Sequence, residues 1–342
     1  MIIRFNEFKP IGLKVYSGYR SLLVRVGVLP LFLVGALIFF SIASPRFMTF
    51  ENLINVARQS VYLVLVSLGQ MIVLLTGGFD LSVGTIIALT SVLSAMLMVA
   101  LTPMFPNAVW LVILLACLGA IAAAFTIGLL NGIGVAVFGV SPFIMTLGVQ
   151  SVGAGIALFL TGGVPVTGMP YEFGNIFGFG RFLGLPMPVI VAIIAILMMS
   201  IFLYGMRSGG HVYAVGGNIH SAKLSGVNAT LTLILAYVAS AGLAALTGLL
   251  LTARVESGEA NLGGAIALES IAACVIGGVS LRGGIGRIET VVLGAFFIVL
   301  IQNGMNLMQI GSYMQMVLLG ILLILAVIID QVRYRMIIGG VE

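Results

Sequence analysis

The chain reads as a series of long apolar runs broken by short polar stretches. About 20 apolar residues are needed to cross a bilayer as a helix. On that measure the runs predict spans over Val26–Ala43, Leu53–Thr76, Leu81–Leu101, Val109–Val135, Phe143–Leu160, Pro186–Tyr204, Leu231–Ala253, Ala265–Gly278, Thr290–Leu307 and Tyr313–Ile329. The eighth is short and contains Glu269, so it is expected to be a re-entrant or broken helix lined by protein. The pattern predicts an all-α, polytopic membrane fold of about ten helices. The short alternating segments of a transmembrane barrel are absent.

Composition agrees. Hydrophobic residues make up 61% of the 342 residues and charged ones 7%. A soluble domain carries roughly a quarter charged residues, so that class is excluded. The 45 glycines suit close helix–helix approach and broken helices around a cavity. The net charge of +5 is distributed along the edges of the apolar runs, so it reports orientation rather than nucleic-acid binding. With the N-terminus inside, the inner segments hold Arg4, Lys9, Lys14, Arg20, Arg25, Arg207, Lys223, Arg282, Arg287, Arg333 and Arg335. The outer segments hold only Arg46, Arg58, Arg181 and Arg254, so both termini are expected inside.

The expected organisation is a cytoplasmic segment 1–25, a membrane domain 26–330 and a cytoplasmic tail 331–342. The first apolar run lacks a small-residue cleavage site and is read as a retained helix. Two loops are long, an outer one at 161–185 and an inner one at 207–230. Cys117 and Cys274 lie in separate apolar runs, with neither a disulfide framework nor a metal pattern. A short echo links Gly77-Gly78-x-x-Leu81-x-x-Gly84 to Gly277-Gly278-x-x-Leu281-x-x-Gly284. It is read either as a parallel repeat or as chance similarity in a Gly-rich chain.

Asp80 is the only charged side chain between Gln59 and Tyr171. Ionisable residues at bilayer depth are costly and usually functional. Gly77, Gly78, Ser82 and Gly84 around it suggest backbone that bends or is closely approached. The span boundaries place Asp80 near the inner surface, at the start of the third span. There it acts as a helix cap, contacts a substrate or couples the pore to a partner. In the inner loop, Asn218 is positioned to cap a short helix, with Ser221, Ala222 and Lys223 in its body and Gly226 and Val227 at its end. Such a helix docks into a partner's cleft, or it merely connects two spans.

Several of these segments resemble one family. Gly216-Gly217-Asn218-Ile219-His220-Ser221-Ala222-Lys223-Leu224-Ser225-Gly226-Val227 is similar to the cytoplasmic coupling segment of the ribose-type permeases of ABC importers, with Ser221 where that family carries Ala. Gly77-Gly78-Phe79-Asp80-Leu81-Ser82-Val83-Gly84 resembles the family's Gly-Gly-Ile-Asp-Leu-Ser-Val-Gly. Asn131-Gly132, the run Pro142–Gly148, the block Ile271–Gly284 and Asn303–Leu307 match in order. Ala267 departs from the acid many relatives carry, and Glu269 falls on the acidic position two residues later.

The resemblance implies a monosaccharide permease subunit in the bacterial inner membrane, working by alternating access. A second permease, an ATP-binding subunit and a periplasmic sugar-binding protein would be its partners. The chain has no Walker Gly-x-x-x-x-Gly-Lys-Ser/Thr motif, so ATP and Mg belong to the partner and no cofactor is expected here. The chain is expected not to be an enzyme. Asn218, Ser221, Ala222, Lys223, Gly226 and Val227 would couple it to the ATPase. Gly77, Gly78, Asp80, Ser82, Gly84 and Asn131 are candidates for the pathway or its gating. Gln302, Asn303 and Asn306 join them, or they bond helices together; positions 302, 306 and 309 share one helical face. Arg254, Glu256, Glu259 and Glu269 would meet the binding protein, or form a solvated loop. The alternative is a stand-alone secondary transporter or channel, which would want ion-coupling acids inside the membrane.

Overall fold

The computed structural model describes residues 29–338. The expected segment 1–25 and the last four residues lie outside that range. The helices are α1 (Leu29–Ala43), α2 (Phe50–Leu75), α3 (Val83–Leu101), α4 (Val109–Ala136) and α5 (Pro142–Thr161). After the outer loop come α6 (Met187–Ser200), α7 (Arg207–Gly217), α8 (Ile219–Leu224), α9 (Ala229–Val255), α10 (Ile266–Ile276), α11 (Ile288–Leu307) and α12 (Ser312–Ile338). Among the described residues, seven helices are long and apolar enough to cross a membrane: α2, α3, α4, α5, α6 with its wide final turn to Gly205, α9 and α11. Shorter apolar helices occupy the three other expected positions, at Leu29–Ala43, Ile266–Ile276 and Ser312–Leu322.

The short eighth span is borne out as a half-length helix. At 1.5 Å per residue, the 11 residues of α10 reach only about 17 Å. Irregular backbone from Ser257 to Ala265 precedes it. The last helix runs on to Ile338, so the tail expected at 331–342 is mostly a continuation of α12. The long loop at 161–185 and the residue after it hold a helical turn at Tyr171–Phe173, a π-turn at Gly174–Gly178 and a hairpin of β1 (Arg181–Phe182) and β2 (Leu185–Pro186). A bridge between Val166 and Gly258 ties that loop to the chain after α9.

Helix α2 is the axis of the bundle. Every residue from Ser60 to Leu75 is buried, enclosed chiefly by α9, α11, α10 and α6. Thr49 starts it, its side chain accepting from Asn52 N. By contrast α4 and α5 present apolar faces outward, with Leu114, Leu118, Ile144, Val152 and Phe159 exposed, as suits helices bordered by lipid. Small residues let α4 and α9 approach closely. A Cβ on Gly128 would lie 2.7 Å from Ala241 Cβ and 2.8 Å from the Tyr237 carbonyl.

The echo of glycine motifs proves shifted by one residue. At the end of α2, Gly77 N donates to Leu74 O and Gly78 N to Val73 O. At the end of α10, Gly278 N donates to Val275 O and Val279 N to Cys274 O. Both are left-handed glycine caps, with φ of 81° at Gly77 and at Gly278. The structural partner of Gly77 is therefore Gly278, not Gly277, and the matching Leu81 and Leu281 are not equivalent.

Gly128→Ala is expected to cost about 1–3 kcal/mol through overpacking. Gly148→Ala, with nothing within 4 Å of the added methyl, should leave stability unchanged. Thermal unfolding of the detergent-solubilised protein compares the two, and equal midpoints would refute the close α4–α9 contact.

Candidate functional site

The centre of the molecule is a break between α2 and α3. After Gly77 the chain turns back into the bundle, and residues 79–81 run without helical hydrogen bonding. Side chains supply what the backbone lacks. The Tyr237 hydroxyl donates to Phe79 O at 3.3 Å, and Leu81 N donates to Thr146 Oγ1 at 3.1 Å. The Gln70 carboxamide pairs with Asp80's own backbone, its NH2 donating to the carbonyl at 2.9 Å and its oxygen accepting from the N–H at 3.2 Å.

Asp80 is fully buried. Its Oδ1 accepts from Ser82 N at 3.0 Å and from Ser82 Oγ at 2.6 Å. Its Oδ2 accepts from Ser240 Oγ at 2.9 Å. Asn131 Nδ2 donates to Ser82 Oγ at 2.8 Å, tying α4 into the same network. Asp80 thus holds Ser82, the residue that precedes α3, through neutral donors; α3 itself has no side-chain cap bond at its N-terminus. The depth of Asp80 differs from expectation. It meets Gln70, five residues before the end of α2, and Ser240, eleven residues into the 27-residue α9. That is about 17 Å along α9 rather than at the inner surface. The turn back at Gly77 causes the difference.

A second irregular segment reaches the same level from the other direction. A Cβ on Gly84 would lie 2.8 Å from Gly263 O, and one on Gly263 would lie 2.9 Å from Gly84 O. The backbones before α10 and at the start of α3 therefore touch, and neither position has room for a side chain.

Below the break lies a joint made of backbone. Gly284 N donates to Leu75 O at 2.9 Å. A Cβ on Gly216 would overlap the Leu75 carbonyl oxygen and approach Gly284 N to 2.6 Å. One on Gly283 would lie 2.8 Å from Gly216 O and 3.0 Å from Gly77 N. Helix α7 also grips the α10–α11 connection, the Tyr213 hydroxyl donating to Gly286 O at 3.0 Å. Burial pushes the Tyr213 phenol up to about 12, so this donor keeps its proton near neutral pH. Tyr204 Oη accepts from Ile288 N at 3.0 Å.

The polar segment 207–230 contains the expected short helix. Asn218 caps α8 by accepting from Ser221 N at 2.9 Å. Gly226 N donates to Lys223 O and Val227 N to Ala222 O, with Gly226 at φ 82°. Ala222 is buried with Val215 and Ala229, against Val227. Asn218, Ser221 and Lys223 face out, beside Leu224, which is 91% exposed. Gly216 and Gly217 lead directly from the backbone joint into this helix.

The polar residues of α11 do not gather at the break. Gln302 Nε2 donates to Glu269 Oε1 at 2.9 Å. Asn303 and Asn52 exchange two amide hydrogen bonds at 2.9 Å. Asn306 Oδ1 accepts from Gln315 Nε2 at 2.7 Å. Each holds a different neighbour, α10, α2 and α12, in the manner of polar glue between membrane helices. Gln309 lies beyond the end of α11, with φ 57°, so the shared face stops at Asn306. The outer acids also separate. Glu256 sits against Gly174 in a cavity also lined by Gly168, Met169, Pro170 and Tyr171. Glu259 accepts from Ser257 Oγ, and Glu269 faces α11. Arg254 lies near Tyr62 and Arg58 instead.

Sequence reasoning did not single out Gln70, Tyr237 and Ser240 around Asp80, nor Leu75 in the joint, and it met Thr146, Gly216 and Gly283 only as members of longer matched motifs. Of the first four, Gln70 had a signal, as the one amide in the apolar run from Val61 to Leu75.

The chain is similar in sequence to several import permeases over most of their length. The chain is 37% identical over 293 residues to the ribose import permease protein of Bacillus subtilis, covering 85% of this chain and 88% of that one. It is 36% identical over 294 residues to the D-allose transport system permease protein of Escherichia coli, covering 86% and 87%. It is 35% identical over 300 residues to the galactose/methyl galactoside import permease protein of Salmonella typhimurium, covering 85% and 89%. No solved structure matches it. Residues 52–327 match the family described as branched-chain amino acid transport system / permease component, and with its broken, side-chain-braced helix at the centre of an apolar bundle the chain belongs to that family of membrane permeases.

Proposed function

We propose that this chain is the pore-forming permease subunit of an ATP-binding-cassette importer for a monosaccharide or related polyol. It lies in the bacterial inner membrane, crosses ten times with both termini inside, and pairs with a second permease. A separate ATPase binds ATP and Mg and docks on the inner loop. A periplasmic binding protein delivers the sugar. The similarity to ribose, allose and galactose permeases over at least 85% of the chain carries this reading. The partners of Asp80 among the described residues are neutral, Ser82 and Ser240, which suits a pathway for a neutral polyol.

The geometry supplies a route for coupling. Helix α8, with Leu224 and Lys223 exposed, is the docking element. Its motion passes through Gly216 and Gly217 to Gly283, Gly284 and Leu75, and so to the turn at Gly77. Because these contacts are backbone on backbone, no flexible side chain absorbs the displacement. Asp80 then keeps the start of α3 fixed to α9 and α4 while the turn moves.

Liposomes holding the chain with its ATP-binding subunit, binding protein, ATP and Mg are expected to take up labelled ribose, allose or galactose. Uptake by the chain alone, without ATP, would establish the stand-alone transporter instead. Leu224→Asp should reduce co-purification of the ATP-binding subunit about tenfold, the loss of roughly one buried apolar anchor. Gly216→Val should leave that association intact yet abolish uptake, whereas Gly217→Ala, where nothing lies within 4 Å of the added methyl, should transport normally. Asp80→Asn preserves the shape of the side chain, and the Ser240 hydroxyl can accept as well as donate. It should keep assembly and most uptake. Asp80→Ala strands buried donors at about 1–3 kcal/mol and should lose assembly. Normal assembly of Asp80→Asn with no uptake would assign the negative charge itself to transport.

A further inference from the structure

Three buried polar atoms gather at the far end of α2 from the joint: Arg58 Nε, Tyr62 Oη and Arg254 Nη1, none of them in a well-formed hydrogen bond, although the Arg254 guanidinium lies within reach of the Tyr62 hydroxyl. Arg58 and Tyr62 stand one turn apart on α2. Arg254, in the last turn of α9, brings its guanidinium to the Tyr62 hydroxyl. Tyr62 is only 7% exposed, packed in a cluster with Ala192, Ala195 and Leu250. The outer loop closes over the group. A Cβ on Gly178 would meet Arg254 Cα at 3.0 Å, and Arg181 on β1 adds a third cation acting on Arg58.

The cations acting on Arg58 are Arg254 and Arg181, those acting on Tyr62 are Arg254 and Arg58, and no carboxylate of the described residues is among the groups acting on either. Asn55 Oδ1 accepts from Arg58 Nη2 at 3.2 Å, leaving Nε for something else. Arg58 is repelled by Arg254 and Arg181 with no carboxylate acting on it in return, and buried donors without well-formed hydrogen bonds add to that cost. An anion removes both penalties. Guanidinium groups match oxyanions in geometry and form their strongest hydrogen bonds to them. Donors from three side chains on two helices suit an anion that accepts from several directions, and a charge near +3 suits more than one negative charge.

We infer that Arg58, Tyr62 and Arg254, with Arg181 at the rim, form a binding site for a phosphate-type oxyanion. Its source is free inorganic phosphate or the headgroup of an anionic phospholipid. The site is separate from the Asp80 break and does not depend on the transport reading.

Thermal unfolding of the full chain in detergent, titrated with inorganic phosphate against chloride at matched ionic strength, tests it. Phosphate should raise the midpoint saturably. Arg58→Gln or Arg254→Gln each removes a charge-assisted hydrogen bond and should demand about tenfold more phosphate for the same effect. Tyr62→Phe, which keeps the packing, should demand a few-fold more, and Arg46→Gln, an exposed arginine elsewhere, should change nothing. Nanodiscs of phosphatidylglycerol against phosphatidylcholine form the second arm. Stabilisation by phosphatidylglycerol that Arg58→Gln abolishes, with free phosphate ineffective, makes the lipid headgroup the source; the reverse makes it free phosphate. No stabilisation in either arm overturns the site. So does an equal effect on wild type and all variants, or acetate acting as well as phosphate, which would point to a carboxylate from a partner protein.

Discussion

Backbone broken inside an apolar bundle must have its polar groups satisfied by protein, because neither water nor lipid can do it. The segment from Gly78 to Ser82 meets that demand with side chains from four helices: Gln70 of α2, Thr146 of α5, Tyr237 and Ser240 of α9, and Asn131 of α4. Asp80 is the keystone because a carboxylate accepts several bonds at once. One residue joins the start of α3 to α9 and, through Ser82, to α4. A break built this way has one arrangement, since displacing it would strand several buried groups together.

Stiffness at the centre is matched by close contact at the joint. Leu75, Gly77, Gly216, Gly283 and Gly284 come from three separate segments and meet through main chain alone. Side chains would hold these segments apart and blunt any movement between them. The glycines thus serve as contact points rather than as loose hinges. The pairing of Gly84 with Gly263 repeats the device at mid-depth, where two irregular segments cross. The polar residues of α11 act differently, each bonding a different neighbouring helix, so the bundle is held laterally by amides and lengthwise by α2.

Much of the architecture was legible in the chain. Apolar run lengths located the long apolar helices and the half-length α10, but not α7, which forms at Arg207–Gly217 inside the stretch expected to be a polar loop. The capping signals at Asn218 and Gly226 delimited α8 because caps depend on a few adjacent residues. Asp80 stood out because charge is rare in an apolar run. Its partners did not, because Ser240, Thr146 and Tyr237 are ordinary residues whose importance comes from distant segments arriving beside them.

The sequence by itself determined which apolar segments are helical, which glycines and which acid were out of place, and the family resemblance. Those properties follow from local hydropathy, capping chemistry and motif order. Only the tertiary structure decided how deep Asp80 lies, that Gly77 corresponds to Gly278, that Gly216 bears on Leu75, and that Arg58 and Arg254 share one site. Each depends on the chain turning back after Gly77 and on helices packing across more than a hundred residues of sequence, which linear spacing does not encode.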